Sequence, residues 1–523
     1  VELYNKTDHS IKIKNWKFCV GTNCKPLPDI SVPADSFLVL TTPSGSTLFP
    51  AEVNTVGISG FPALTNTGQT LQLQNEQGNS ISVISYADDW YRDEAKQEGG
   101  YSLEQIDVLN PCAEKQNWKA SNSASGGTPG KRNTVAAAQP DKNPPEILHV
   151  NVLSPEQLEV IFTESMDSTT LMNLTGYEIS SIGNPVSIRL SKPTYKSITL
   201  YLGTLLNESV LYTLTVKSNI TDCAGNVIDQ NRSARFAIPV EAEAGDVVIN
   251  ELLTDPRSGG VDFVEIYNRS GKVVDLKALF LCHYDTVTKT LSGIAKIINS
   301  GYLLFPAEYL VLTESADAVK NQYITAASGA FLNVKELPSL DPDAGSICLK
   351  TAATIIDHFT YNSAMHFALL KDTKGISLER VNFSRPTNSV TNWHSASSSV
   401  GFATPGFKNS QFLNLISSEE SLKVDPETFS PNGDGWNDQV TIYYQFDQPG
   451  YSATIQIFDS SGRLVKTLVN NELMSSDGVY SWDGINDERK KERTGIYIIY
   501  MNAIHLSGMI KQYKKVCVLS GKE

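Results

Sequence analysis

DVVINELLTDPRSGGVDFVEIYN occupies residues 246–268, and its last five residues nearly repeat the five that open the chain, VELYN at 1–5. Around this pair, further short motifs recur in the same order. Ser102-Leu103-Glu104 returns as Ser377-Leu378-Glu379, Asn117-Trp118 as Asn392-Trp393, and Thr128-Pro129-Gly130 as Thr404-Pro405-Gly406. Each copy then carries an Asn, Asn133 and Asn409. Between these marks, LQLQNEQGNSISVISY (71–86) follows the pattern of ICLKTAATIIDHFTY (347–361). One module is therefore used twice. The second copy has a complete strand ahead of its VEIYN, and the first copy has none. A β-sandwich without its opening strand has an unpaired edge, which predicts that the numbering starts inside a longer native chain.

The remaining sequence is also strand-like. PDKNPP (140–145) is a proline-rich boundary. ILHVNVLSPEQLEVIFTESMD follows it and reads as strand, turn and strand with period-two alternation. SITLYLGTLL, YTLTVKSNITDCAGNVID and ARFAIP continue the pattern, as an Ig-like sandwich of about 100 residues requires. After Asn409 come QVTIYYQF, ATIQIFDSSGRLVKTL, GVYSWDG, GIYIIYMNAI and YKKVCVL, with hairpin-turn chemistry at Asp459-Ser460-Ser461-Gly462. Helical periodicity is confined to 165–171 and 316–323. The chain reads as all-β, four serial Ig-like β-sandwich domains in an elongated arrangement. The expected limits are 1–139, 140–240, 241–410 and 411–523.

Composition narrows the function. The net charge of −14 gives no general attraction to nucleic acid or anionic membranes. No apolar run approaches the roughly 18 residues that span a bilayer. Seven histidines occur without HExxH, zinc-ligand spacing, a G-x-S-x-G elbow or a phosphate-binding loop. Of the seven cysteines, Cys19 and Cys24 are spaced to close a small loop across a hairpin. Cys112, Cys223, Cys282, Cys348 and Cys517 read as small buried side chains.

Three family resemblances follow from these motifs. VINELLTDP…DFVEIYN, SLER with Asn392-Trp393, and ATPGFKN (403–409) resemble the lamin-tail domain of bacterial secreted proteins. The first copy shows that pattern minus its opening strand. Residues 141–240 resemble the bacterial Ig-like domain of S-layer-type proteins, through Phe162, Glu164, Met166, Asp167, Asp222, Ala224, Gly225 and Asn226. The last segment resembles the Ig-like module typified by flagellar hook-capping proteins, also common at the C-termini of Bacteroidota surface proteins. FSPNGDGWND, IQIFDSSGRLVKTL, YSWDGINDE and TGIYIIY carry that likeness. Together the resemblances imply an exported protein of a Gram-negative bacterium, outside the cell or on its outer-membrane surface.

Two loops are candidate sites. In Phe429–Asp438, FSPNGDGWND, oxygen-bearing Asn432, Asp434 and Asp438 alternate with glycines, and the Trp436 carbonyl can contribute. Hard oxygen ligands on a tight turn suit Ca²⁺. The bidentate Glu of an EF-hand is replaced by Tyr443, so a structural calcium loop stands beside an Asx-turn cluster that satisfies its own amides. Placed at the start of the last segment, a calcium ion would act as a hinge lock towards the second lamin-tail copy. In YADDWYRDE, Asp88, Asp89, Trp90 and Tyr91 form a candidate contact surface, with the two aromatics as stacking platforms.

The functional expectation is a non-enzymatic cell-surface scaffold or binding subunit. Its partner is a protein, an outer-membrane protein or complex. Nucleic acid is excluded, and membrane contact runs only through a partner or an unseen lipid anchor. One alternative is a set of accessory modules for an extracellular hydrolase or nuclease, with the catalytic domain upstream. A weaker one is a carbohydrate-binding surface protein using Trp90 and Tyr91.

Overall fold

The computed structural model describes residues 1–110, 113–217, 219–229, 232–325, 328–413, 421–433 and 435–521. The chain divides into two compact units, Val1–Ile238 and Pro239–Glu523. Both are built of small, almost entirely antiparallel sheets, and the protein is all-β with Ig-like sandwiches in series. Among the described residues, no helix is long and apolar enough to cross a membrane.

In the second unit a six-stranded sheet runs in the spatial order Phe331–Asn333, Tyr309–Thr313, Phe263–Asn268, Val247–Leu253, Leu378–Arg380, Trp393–Ser395. The Val247–Leu253 strand is central, and all seven of its residues are buried. It is antiparallel to both neighbours, with Glu251 opposite Glu265 on one side and Glu379 on the other. A four-stranded sheet from Phe280–Tyr284, Leu291–Lys296, Ala344–Lys350 and Ile355–Asn362 closes the sandwich. Ile249, Leu252, Ile266, Leu312, Ile347 and Phe359 fill the space between. FVEIYN buries five of its six residues, Glu265 and Asn268 among them, because both faces of its sheet are covered, so alternation is not required.

The first unit repeats this plan in part. Glu2–Asn5 pairs with Ser36–Thr41, which pairs in parallel with Thr55–Gly57. The same order, with the same parallel pair, occurs at Phe263–Asn268, Tyr309–Thr313 and Phe331–Asn333. Leu103–Gln105 and Trp118–Ala120 form a separate two-stranded sheet, the counterpart of Leu378–Arg380 and Trp393–Ser395. Among the described residues of the first copy, no strand pairs with both Glu2–Asn5 and Leu103–Gln105 as Val247–Leu253 pairs with their counterparts. A four-stranded sheet of Asn23–Pro26, Lys17–Val20, Gly68–Gln74 and Ser80–Ala87 belongs to the same copy, and a sandwich of a four-stranded and a three-stranded sheet follows it over 147–236. There alternation is clean: Gln157–Phe162 buries every second residue.

The last segment of the second unit packs the three-stranded sheet Ser421–Asp425, Val440–Gln445, Asp477–Trp482 against a five-stranded one. Its joint to the preceding copy is made by residues 397–411 against 474–477. The Ser476 amide donates to the Ser410 carbonyl at 2.8 Å, Gln411 Nε2 to the Met474 carbonyl at 3.0 Å, and Ser397 and Ser475 hydroxyls meet at 2.7 Å. Among the described residues, the bonds of this joint thus lie at 397–411 and 474–477 rather than at the 429–438 loop where a hinge lock was expected.

Three local expectations change or gain detail. Residues 316–322 form a helix capped by Ser315, whose hydroxyl accepts from the Ala318 amide. Residues 165–171 do not form a helix: Met166 bridges to Asp222, and Asp167 caps a single tight turn at Thr170–Met172. Cys19 and Cys24, directly opposite on paired strands, form a disulfide, and Cys223 is also disulfide-bonded rather than a buried thiol. Cys282, Cys348 and Cys517 are buried and free. Cys112 lies outside the described residues.

Candidate functional site

The repeated motifs converge on one place in the second unit. Glu265, Glu251 and Glu379 lie in a row across three adjacent strands and are fully buried. Like charges opposite one another destabilise a sheet, so the row needs donors or protons. The closing loop at 404–411 supplies donors. Gly406 donates its amide to Glu265 at 2.5 Å. Thr404 donates its amide to Glu251 at 2.8 Å and its hydroxyl to Glu379 at 2.7 Å. Ser410 Oγ and the Gln411 amide reach the second Glu379 oxygen at 2.7 and 2.8 Å, and Ser377 Oγ reaches Glu251. Burial and the neighbouring Glu379 push the Glu251 carboxyl up to about 8; burial also raises Glu265 and Glu379. With their oxygens engaged by the loop, these carboxyls act as a staple between sheet and loop.

A second carboxylate group, not anticipated as a site, lies in the Ig-like sandwich of the first unit. Asp141, Glu164 and Asp222 bring one oxygen each within 4.8 Å of one another. The fold unites the 140–145 boundary, the VIFTESMD turn and the TDCAGN loop. Burial, then the charges of Asp141, Asp222 and Glu114, push Glu164 up to about 8. Asp222 is buried and already accepts from the Ala224 and Asn226 amides and from Asn226 Nδ2, each at 2.8 Å.

Within 429–438, Asp438 accepts from the Gly433 amide at 2.7 Å and the Gly435 amide at 2.8 Å, one on each carboxylate oxygen. The Ser430 amide donates to the Asn437 carbonyl. Gly433 and Gly435 have φ of 80° and 83°, the left-handed region open to glycine. This geometry has the pattern of a self-satisfied turn. Trp436 is exposed, and Asp434 lies outside the described residues.

At 88–91 the stacking surface expected from sequence is corrected. Trp90 is 5% exposed, so its ring is part of the interior and offers no platform. Tyr91 is half-buried and donates its hydroxyl to the Tyr101 carbonyl at 3.1 Å. Asp89 is held by Lys115 at 2.5 Å.

Three family models match parts of the chain. They are the Lamin Tail Domain at residues 241–363, a bacterial Ig-like domain at 134–237, and the CHU_C Type IX secretion signal domain at 423–517. The last gives the C-terminal segment a more specific likeness than the flagellar hook-capping type expected from its motifs. No curated protein matches. Among solved structures, the chain is similar to PorZ of Porphyromonas gingivalis, a bacterial surface component of the type-IX secretion system. Identity is 10%, over 96% of this chain and 74% of that one, with TM-score 0.17. Similarity to dimeric latent PorU of the same organism is 10% identity over 72% and 34%, TM-score 0.16. For the S-layer protein rSbsC it is 11% over 72% and 54%, TM-score 0.17. The chain thus spans about half of the S-layer protein and a third of PorU, and these overall likenesses are too weak to carry an argument. The matched family models make this a modular protein of the cell surface or extracellular space.

Two measurements check these assignments. Trp90→Ala should destabilise the first unit by about 3–5 kcal/mol, as loss of a buried aromatic does. A melting curve unchanged by that substitution would return the ring to the surface. For the glutamate row, a raised carboxyl stabilises the fold fully below its ordinary value and loses that contribution as pH rises through the folded value. The second unit should therefore melt at progressively lower temperature between about pH 4.5 and 8, and Glu251→Gln should flatten that dependence. Parallel curves for the two proteins would show that Glu251 stays ionised in the fold.

Proposed function

We propose that this chain is a non-enzymatic scaffold or binding subunit of an outer-membrane-associated assembly in a Gram-negative bacterium. It consists of four β modules at about 1–139, 140–240, 241–410 and 411–523. The observation that carries this reading is the secretion-signal match at 423–517, which follows lamin-tail and bacterial Ig-like modules on one chain. Such modules present surfaces on rigid sheets, and function on them resides in grafted sites rather than in the fold. The net charge of −14 favours a protein partner over nucleic acid.

The test uses a bacterium with a type IX secretion system. It compares the full chain with a version lacking residues 421–523. The full chain should reach the cell surface, resist extraction until detergent is added, and bring down an outer-membrane protein. The shortened chain should remain inside the envelope. Equal surface delivery of both would remove the secretion reading, and a full chain that comes down alone would remove the scaffold reading.

Calcium belongs to the same proposal as a structural ion on Asn432, Asp434, Asp438 and the Trp436 carbonyl. The left-handed glycines that free the backbone support it, and the amide hydrogen bonds to Asp438 support the plain turn. A chelator should lower the melting temperature of the last segment. Identical melting with and without chelator would leave the loop as a turn.

A further inference from the structure

Cysteine occupies the same strand position in both lamin-tail-like copies. Lys17–Val20 pairs with Gly68–Gln74 as Phe280–Tyr284 pairs with Ala344–Lys350. The registers correspond: Phe18 opposite Leu73 answers to Leu281 opposite Leu349. Cys19 and Cys282 are therefore equivalent. In the first copy Cys19 is bonded to Cys24, directly opposite on the hairpin neighbour, and Gln72 faces it from the other neighbour. In the second copy the hairpin neighbour Leu291–Lys296 contains no cysteine, and Cys348 faces Cys282 from the other neighbour. The two copies thus share a pair of directly opposed cysteines and differ in which adjacent strand supplies the second.

Directly opposed residues of antiparallel strands have Cα atoms about 4.5 or 5.5 Å apart, and both spacings fall within the roughly 4.4–6.8 Å that a disulfide spans. Side-chain direction agrees. Leu281, Ile347 and Leu349 face the core between the sheets, so Cys282 and Cys348 share the opposite face. Cys282 Sγ donates to the Cys348 carbonyl at 3.7 Å. A side-chain hydrogen bond between the two thiols lowers that of Cys282 and raises that of Cys348. Both cysteines are fully buried. Phe280 and Lys350 border the pair on one side, with the ammonium 5.4 Å from the ring centroid. Tyr284 and His358, whose rings meet edge to face at 5.1 Å, border it on another. Cys517, the remaining cysteine of the second unit, is in the core of the last segment.

We propose that Cys282 and Cys348 are joined by a cross-strand disulfide in the exported protein. The oxidant is a disulfide-bearing compound or protein, R–S–S–R, of the class able to make the Cys19–Cys24 bond. Cys282 loses its proton and attacks one external sulfur. A Cys282–S–R bond forms, the R–S–S–R bond breaks, and one RS⁻ leaves. Cys348 then loses its proton and attacks Cys282 Sγ, and the second RS⁻ leaves as the cross-strand bond forms. The two protons released go to the two RS⁻, so two protein thiols are oxidised and one external disulfide is reduced to two thiols. Both sulfurs are buried in the finished sheet, so exchange precedes its closure, and the completed bond is shielded from thiols in solution. The bond joins residues 66 apart in sequence and restrains in the unfolded chain a loop that holds the Tyr309–Thr313 strand and the Ala316–Gln322 helix.

The test takes the full chain exported to a bacterial periplasm, unfolds it in denaturant with iodoacetamide and no reductant, and maps its peptides by mass. Expected is one cross-linked species, two hydrogens lighter than the peptides of Cys282 and Cys348 together, with Cys517 alkylated. Alkylation of both Cys282 and Cys348, or a link from either to Cys517, overturns the proposal. A second measurement uses melting. Residues 239–523 contain no cysteine besides these three, so a reductant acts on disulfides of the second unit only through this pair. Reductant should lower the melting temperature of that unit by about 5–15 °C. It should leave a Cys282→Ala, Cys348→Ala double variant unchanged. The same response in both proteins overturns the bond. Peptide mapping needs no variant, so it decides the matter even where the double variant does not fold.

Discussion

A carboxylate placed inside a β-sheet has to be met by donors, and in this protein that requirement fixes the path of the closing loop. Glu265, Glu251 and Glu379 occupy neighbouring strands and are fully buried. Unsatisfied, each would cost several kcal/mol. Thr404, Gly406, Ser410 and Gln411 can reach them only if the chain after the Leu378–Arg380 and Trp393–Ser395 hairpin folds back across the sheet. The fold-back then delivers Ser410 and Gln411 to the backbone of residues 474–476. The buried row thereby orders its own sheet and also the joint to the last segment.

Much of this arrangement was written in the repeat. The Glu of VEIYN, the Glu of SLER and the Thr, Gly and Asn of ATPGFKN recur in both copies, and each proves to be a member of the staple. Their convergence was not legible, because the partners are far apart in sequence: 141 residues separate Gly406 from Glu265. Sequence spacing reports local periodicity, and these contacts are set by strand order. The strands themselves were legible from period-two alternation and from turn residues, as at Gln157–Phe162.

Other features were hidden for identifiable reasons. Trp90 follows two acids in a polar stretch, which suggests a surface loop, yet the tight turn at Asp88–Tyr91 directs the ring inward. Asp141, Glu164 and Asp222 come from a linker, a turn and a loop. No spacing rule connects them, although two of the three had already been singled out as marks of the Ig-like family. Alternating Asn, Asp and Gly signal both a cation loop and an Asx turn, since both need oxygens close to a freed backbone. The bonds from Gly433 and Gly435 to Asp438 are of the kind the second use requires.

The two copies diverge where the inner strand would matter most. In the second copy Arg380 is 1% exposed and donates from Nε to the Ile249 carbonyl at 2.6 Å and from Nη2 to Asp357 at 2.7 Å and Thr387 at 2.9 Å. Such a pair holds only while it is shielded and complete: losing one partner of a buried ion pair costs about 3–5 kcal/mol. Its counterparts in the first copy are Gln105 and Ser82, and Ser82 is exposed. The staple residues, by contrast, are retained: Glu2, Glu104, Thr128, Gly130 and Asn133. The buried ion pair thus belongs to the second copy, and the staple groups belong to both.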